Sequence, residues 1–216
     1  MDEEIRILVA DDHPIVRKGL RFSIEEDPGL KVVGEAADGQ AALELIRKLR
    51  PQIAVLDIDM PKLDGLAVAR ELTRQKLDTK IIFLTFHADE DLFRNAMELG
   101  SKGYILKDSA SQEIVAGVRA VASGRSYISS AITEKLLQPQ KAPAAQDGIT
   151  ANLTPTERRI MRLIADGKTS KEIGAELSIH YRTVENHRTN ICRKLKLEGE
   201  GANALLRFAL QHKSGL

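Results

Sequence analysis

The chain of 216 residues (23.8 kDa) has room for one large domain or two modest ones, and its 43% apolar and 29% charged residues exclude wholesale disorder. Apolar runs such as Ile53–Leu56 are far too short to span a membrane, the acidic start MDEEIR does not read as a secretory signal, and the lone Cys192 can form neither an internal disulfide nor a zinc cluster, so a cytoplasmic protein with no membrane partner is expected. Net charge is +1 overall but −4 over Met1–Ser130, 0 over Ala131–Thr150 and +5 over Ala151–Leu216, which makes the back quarter the candidate for a polyanion.

The front of the chain alternates two hydrophobic periods. Strand-like runs cover Ile5–Ala10, Lys31–Ala36, Ile53–Asp57, Lys80–Thr85 and Lys102–Leu106. The first, third and fourth are almost continuously apolar, as strands buried on both faces are. Helical stretches lie between them at Pro14–Glu26, Gln40–Leu49, Gly65–Lys76, Asp89–Leu99 and Ala110–Ser123. Asp38-Gly39 and Asp64-Gly65 mark helix starts, and Gly100 and Gly124 follow helix ends. Five such units predict a parallel α/β sheet with helices on both faces, a flavodoxin-like arrangement.

The segment Gln138–Thr150 has two prolines and no apolar period, and reads as a linker. The domain division expected is 1–128, a linker over 129–150, and 151–216. The back segment is all helical. Thr154-Pro155-Thr156-Glu157 and Thr169-Ser170-Lys171-Glu172 both carry capping-box signatures. A third helix runs from about Tyr181 to Leu195 after a short turn, and a last one over about Ala202–Gln211. Two short helices, a tight turn and a longer polar helix fit helix-turn-helix geometry.

In a parallel sheet, ligands bind beyond the carboxyl ends of the strands. There the pattern places Asp11 and Asp12, Asp57, Thr85 and Lys107. Three carboxylates brought together repel unless a cation sits among them, and hard Mg²⁺ suits such oxygen donors. A carboxylate flanked by a metal, a hydroxyl and an ammonium can attack a phosphoryl group.

The runs LVADDHP, LDIDMPKLDG, FLTF and GYILKD, in that order from Ile5 to about Ser123, resemble the receiver domain of bacterial two-component response regulators. The resemblance implies that Asp57 accepts phosphate from a histidine kinase. It implies Mg²⁺ held by Asp12 and Asp57, by Asp11 through water, and by the Asp59 backbone carbonyl. Thr85 and Lys107 would contact the phosphoryl oxygens, and Tyr104 would be the switch aromatic that turns inward with Thr85. Phe86 is bulky where the family often has a small residue, so it either narrows access to the phosphoryl group or simply packs. Asp59 and His87 occupy positions that tune phosphate lifetime in the family.

The third back-domain helix should present polar groups to a DNA major groove. The expected contacts are Arg182, Thr183, Glu185, Asn186, His187, Arg188 and Thr189, with Lys171 from the preceding helix. Asn and Glu suit base edges, and the basic residues suit phosphates. From Leu153 to about Leu210 the sequence is similar to the LuxR-type helix-turn-helix domain, with His180 in place of a usual Ser and Gly174 in place of a usual Ala. In such domains the final helix often mediates dimerisation on DNA, here through Leu205, Leu206 and Ala209. Receiver plus LuxR-type output resembles the NarL/FixJ group, whose partners are a histidine kinase, promoter DNA, a second copy on DNA and, further on, RNA polymerase. Two other readings stay open at this point. Asp57-Ile58-Asp59 also matches the DxD of aspartate-nucleophile phosphatases, and the front domain could be a non-signalling partner of a constitutive DNA binder.

Overall fold

The computed structural model describes residues 4–86, 90–137, 153–177, 179, 181–197 and 203–213. The chain divides into two compact units, Met1–Pro139 and Gln140–Leu216.

The first unit is a parallel sheet in the order β2-β1-β3-β4-β5-β6. Its strands are β1 Ile5–Ala10, β2 Leu30–Ala36, β3 Ile53–Asp57, β4 Lys80–Thr85, β5 Gly103–Leu106 and β6 Tyr127–Ile128. The helices are α1 Pro14–Glu25, α2 Gly39–Leu49, α3 Gly65–Arg74, α4 Glu90–Glu98, α5 Ala110–Ala122 and α6 Ser130–Leu137. Strand side chains alternate faces, so each central strand feeds two cores. Leu8, Leu56, Phe83 and Tyr104 pack with Ala42, Ile46, Val68, Leu72 and Leu92 from α2, α3 and α4. Ile7, Val9, Val55, Ile82 and Ile105 pack on the other face with Leu20 and Ile24 of α1 and Ile114, Val118 and Val121 of α5. This double burial is the physical reason those strands are apolar at nearly every position.

The turn chemistry follows the sequence closely. The Asp38 carboxylate accepts from the Ala41 amide at 2.8 Å and that of Asp64 from the Ala67 amide at 2.6 Å, each capping a helix that opens on glycine. Those glycines are also spacers. A Cβ on Gly39 would lie 1.9 Å from the Leu63 carbonyl oxygen, and one on Gly65 would lie 2.3 Å from the Asp57 carbonyl oxygen.

Two expectations are corrected. The sheet has a sixth strand: the Tyr127 amide donates to the Lys102 carbonyl and the Ser129 amide to the Tyr104 carbonyl, both at 2.9 Å. The expected linker over 129–150 also begins too early, because Ser130–Leu137 is a helix whose Ile132 is 2% exposed and joins the core beside Tyr104. At eight residues, SAITEKLL is too short to establish a helical period in the sequence. The remainder of the expected linker, 138–150, lies outside the described residues.

The second unit contains α7 Pro155–Ala165, α8 Ser170–Leu177, α9 Tyr181–Lys194 and α10 Ala204–Gln211. Both capping boxes form. The Glu157 amide donates to Thr154 Oγ1 and the Thr154 amide to Glu157 Oε2, and Thr169 and Glu172 repeat the exchange. Ile160, Ile164, Ile173, Val184, Ile191, Leu205 and Ala209 close a single core. Gly174 has a local reason here, since a Cβ would sit 2.7 Å from the Ile179 carbonyl oxygen in the turn between α8 and α9. The substitution expected at His180 lies outside the described residues.

Candidate functional site

Strand register brings the chemistry together. Ala10 stands opposite Leu56, Asp57 opposite Leu84, and Thr85 opposite Leu106. Asp11, Asp57, Thr85 and Lys107 therefore end four adjacent strands at one edge. Asp11, Asp57 and Thr85 are almost wholly buried. The Lys107 ammonium reaches between two carboxylates, 2.6 Å from Asp11 Oδ2 and 2.8 Å from Asp57 Oδ2. The Asp59 amide donates to Asp57 Oδ1 at 3.1 Å, which fixes that carboxylate from the far side. The Gly65 amide donates to the Ile58 carbonyl at 3.0 Å and closes the turn behind it.

Burial pushes the Asp57 carboxyl up to about 6, with the Asp11 charge pushing the same way and Lys107 opposing. Burial alone would lower the Lys107 ammonium, but the charges of Asp57 and Asp11 outweigh it and hold the group above its ordinary value. The site thus carries more negative charge than one lysine relieves.

One participant was missed by the sequence reading. Ligand atoms of Asp11, Asp12, His13 and Asp57 all lie within 4.8 Å of one another. His13 Nδ1 is 3.1 Å from Asp11 Oδ1 and 2.7 Å from Asp12 Oδ1, and the His13 amide donates to Asp11 Oδ1 at 2.8 Å. Its adjacency to the acidic pair was the available signal. Three carboxylates gathered at the end of the sheet are a donor set that fits a hard divalent cation.

Tyr104 is wholly buried and meets the Phe93 ring edge-on, centroids 5.3 Å apart. The Tyr104 ring thus lies inward, under the end of the sheet. His87 lies outside the described residues.

On α9 the expected contacts separate into two sets. Thr183 and His187 are fully buried, on the arc of the helix that also carries Val184 and Ile191, and Asn186, 8% exposed, lies at the far margin of that arc. Thr183 and His187 are thereby corrected as surface contacts: at 100° per residue they fall within the inward arc, which is wider than Val184 and Ile191 alone suggested. Glu185 and Thr189 are exposed, Arg188 is partly so, and Lys171 on α8 is exposed. Arg182 belongs to the first turn of α9. On α10, Leu205 and Ala209 are also corrected, since both are buried in the unit's own core with Leu206 half-buried against it. The apolar residue left outside is Leu210, 54% exposed.

Residues 7–119 match the response regulator receiver domain family, and residues 151–204 match the LuxR family of bacterial regulatory proteins. UvrY of Escherichia coli strain K12, a response regulator, is 35% identical over 208 residues, covering 96% of this chain and 94% of that one. The chain is a response regulator of the NarL/FixJ group. The transcriptional regulatory protein LiaR of Bacillus subtilis strain 168 is 38% identical over 191 residues, covering 88% of this response regulator and 90% of LiaR. Among solved structures, the response regulator RcsB in complex with DNA is similar with a TM-score of 0.62 at 26% identity, covering 99% and 100% of the two chains. This regulator accordingly joins a receiver to a LuxR-type DNA-binding domain and acts in transcription regulation. Among its described residues no helix is long and apolar enough to cross a membrane.

Proposed function

We propose that Asp57 accepts a phosphoryl group from a histidine kinase, and that the added charge shifts conformation or dimerisation to control promoter binding. The observation that carries this reading is the Lys107 ammonium held between the buried carboxylates of Asp57 and Asp11, 2.8 and 2.6 Å away. Asp57 would be the nucleophile, its carboxylate oriented by the Asp59 amide on one oxygen and by Lys107 on the other. Lys107 is placed to exchange a carboxylate for a phosphoryl oxygen, and Thr85 ends the neighbouring strand where a second oxygen would lie. Asp11, Asp12 and Asp57, with the Asp59 carbonyl, would hold Mg²⁺, which supplies charge neutralisation for the transferred oxygens. The phosphoryl group would draw Thr85, and Tyr104 would follow within its pocket beside Phe93.

For the output domain we infer DNA contacts by Lys171, Arg182, Glu185, Arg188 and Thr189, with Asn186 at the edge of the helix's outward face. Pairing of two copies would use the outer side of α10, where Leu210 is exposed and Leu206 half-exposed, and would set two half-sites about a helical turn apart.

The test is intact-mass measurement of the full-length protein after incubation with acetyl phosphate. One added phosphoryl group is expected with Mg²⁺, and none with excess chelator or in Asp57→Asn. Fragment selection with the phosphorylated protein would then yield the operator. DNA affinity and oligomeric state that are both the same with and without phosphorylation would refute the switch.

A further inference from the structure

Phe86 directly follows Thr85 at the end of β4, and the residue is 47% exposed. A large apolar ring left in solvent beside a cluster of charges calls for a reason. The ring lies over Lys107, whose Nζ is 4.8 Å from the centroid and whose side chain is only 2% exposed. It also meets the His13 imidazole edge-on, with centroids 6.2 Å apart and planes at 86°. His13 is itself tied to the carboxylates of Asp11 and Asp12. Phe86 and His13 thus form an aromatic rim at the exposed side of the acidic cluster, anchored by Lys107 at one end and by the acidic pair at the other.

We propose that Phe86 is a specificity-determining residue for the phosphodonor. The rim favours a donor whose leaving group is a neutral aromatic ring, a phosphoramidate of imidazole, over one whose leaving group is a carboxylate. This rests on Asp57 being the phosphoacceptor. In both reactions an Asp57 carboxylate oxygen forms the new bond to phosphorus. With phosphoimidazole protonated at its distal nitrogen, the P–N bond breaks, the electron pair returns to the ring nitrogen, and neutral imidazole departs. With acetyl phosphate, the P–O bond breaks and acetate departs with the pair and a full negative charge. The flat ring stacks against Phe86 in the bound donor and in the transition state, a contact worth about two- to tenfold in rate. Departing acetate gains nothing from the electron-rich ring face.

The experiment measures phosphorylation rates of the full-length protein in Mg²⁺ by intact mass, with phosphoimidazole and with acetyl phosphate. Wild type is compared with Phe86→Ala, Phe86→Leu and Phe86→Tyr. The ratio of the phosphoimidazole rate to the acetyl phosphate rate is expected to fall about two- to tenfold in Phe86→Ala and Phe86→Leu, and to be retained in Phe86→Tyr. Phe86→Leu keeps most of the bulk without the π face, so it separates stacking from simple obstruction. An unchanged ratio in both variants, even with both rates raised, overturns the proposal and leaves Phe86 a steric cover. If wild type takes phosphate from neither donor, the reading of Asp57 as acceptor fails first, and this proposal falls with it.

Discussion

Replacing Asp57 with Asn should stabilise the metal-free receiver while abolishing phosphorylation. The carboxyl is 1% exposed, and burial with the Asp11 charge pushes it from 3.8 to about 6. Its pKa is therefore higher folded than unfolded, so any stability it contributes is present below about pH 4 and is lost as pH rises through about 6. Above that range the raised pKa costs the folded state about 3 kcal/mol. The Asn side chain keeps an oxygen for the Asp59 amide and carries no charge to desolvate. In chelator, Asp57→Asn should gain about 3 kcal/mol at pH 8 and about 1 kcal/mol at pH 4.5. By calorimetry the receiver transition at pH 8 should rise by something on the order of 10 °C. Added Mg²⁺ should raise the wild type far more than the variant, because the metal relieves the same repulsion. A variant no more stable than wild type at pH 8, or an equal gain at both pH values, would refute the reasoning.

Gly65→Ala should cost more than about 2 kcal/mol and slow phosphorylation, because the new Cβ would press within 2.3 Å of the Asp57 carbonyl oxygen; calorimetry and the mass assay check both effects. Gly174→Ala should lower the melting temperature of the output domain although Ala is the better helix former by about 1 kcal/mol, since its Cβ would meet the Ile179 carbonyl oxygen at 2.7 Å. Glu157→Gln should destabilise the output domain by about 1–3 kcal/mol, because the buried carboxylate accepts from both the Thr154 amide and the Lys194 ammonium at 2.8 Å; the calorimetric transition of that domain should fall while receiver phosphorylation is unchanged.

The sheet and its acidic edge were legible because both rest on local rules. Ile53–Leu56 is apolar throughout and Asp57 then ends the strand with a charge, which marks a doubly buried strand and the edge of the sheet where its chemistry gathers. Asp38, Asp64, Thr154 and Thr169 announce helix starts through their own side chains. What escaped depends on contacts between distant segments. Tyr127–Ile128 is a strand only because β5 offers it the carbonyls of Lys102 and Tyr104. Thr183 and His187 look like groove contacts in a polar helix, and only the packing of α9 turns them inward. Leu205 and Ala209 on α10 likewise serve their own core, where the amphipathic pattern alone could not say whether that stripe faced inside or out.

The sixth strand has a practical consequence for where the receiver can be cut. The family match ends at residue 119, yet a fragment stopped there would lose the end of α5 and strip β5 of its neighbour. The carbonyls of Lys102 and Tyr104 would form a raw sheet margin open to pairing with other molecules, and the apolar surface under Ile132 would be bare. A fragment carried through Leu137 keeps that margin sealed, so the smallest self-sufficient signalling unit of this chain is longer than its motif-bearing portion.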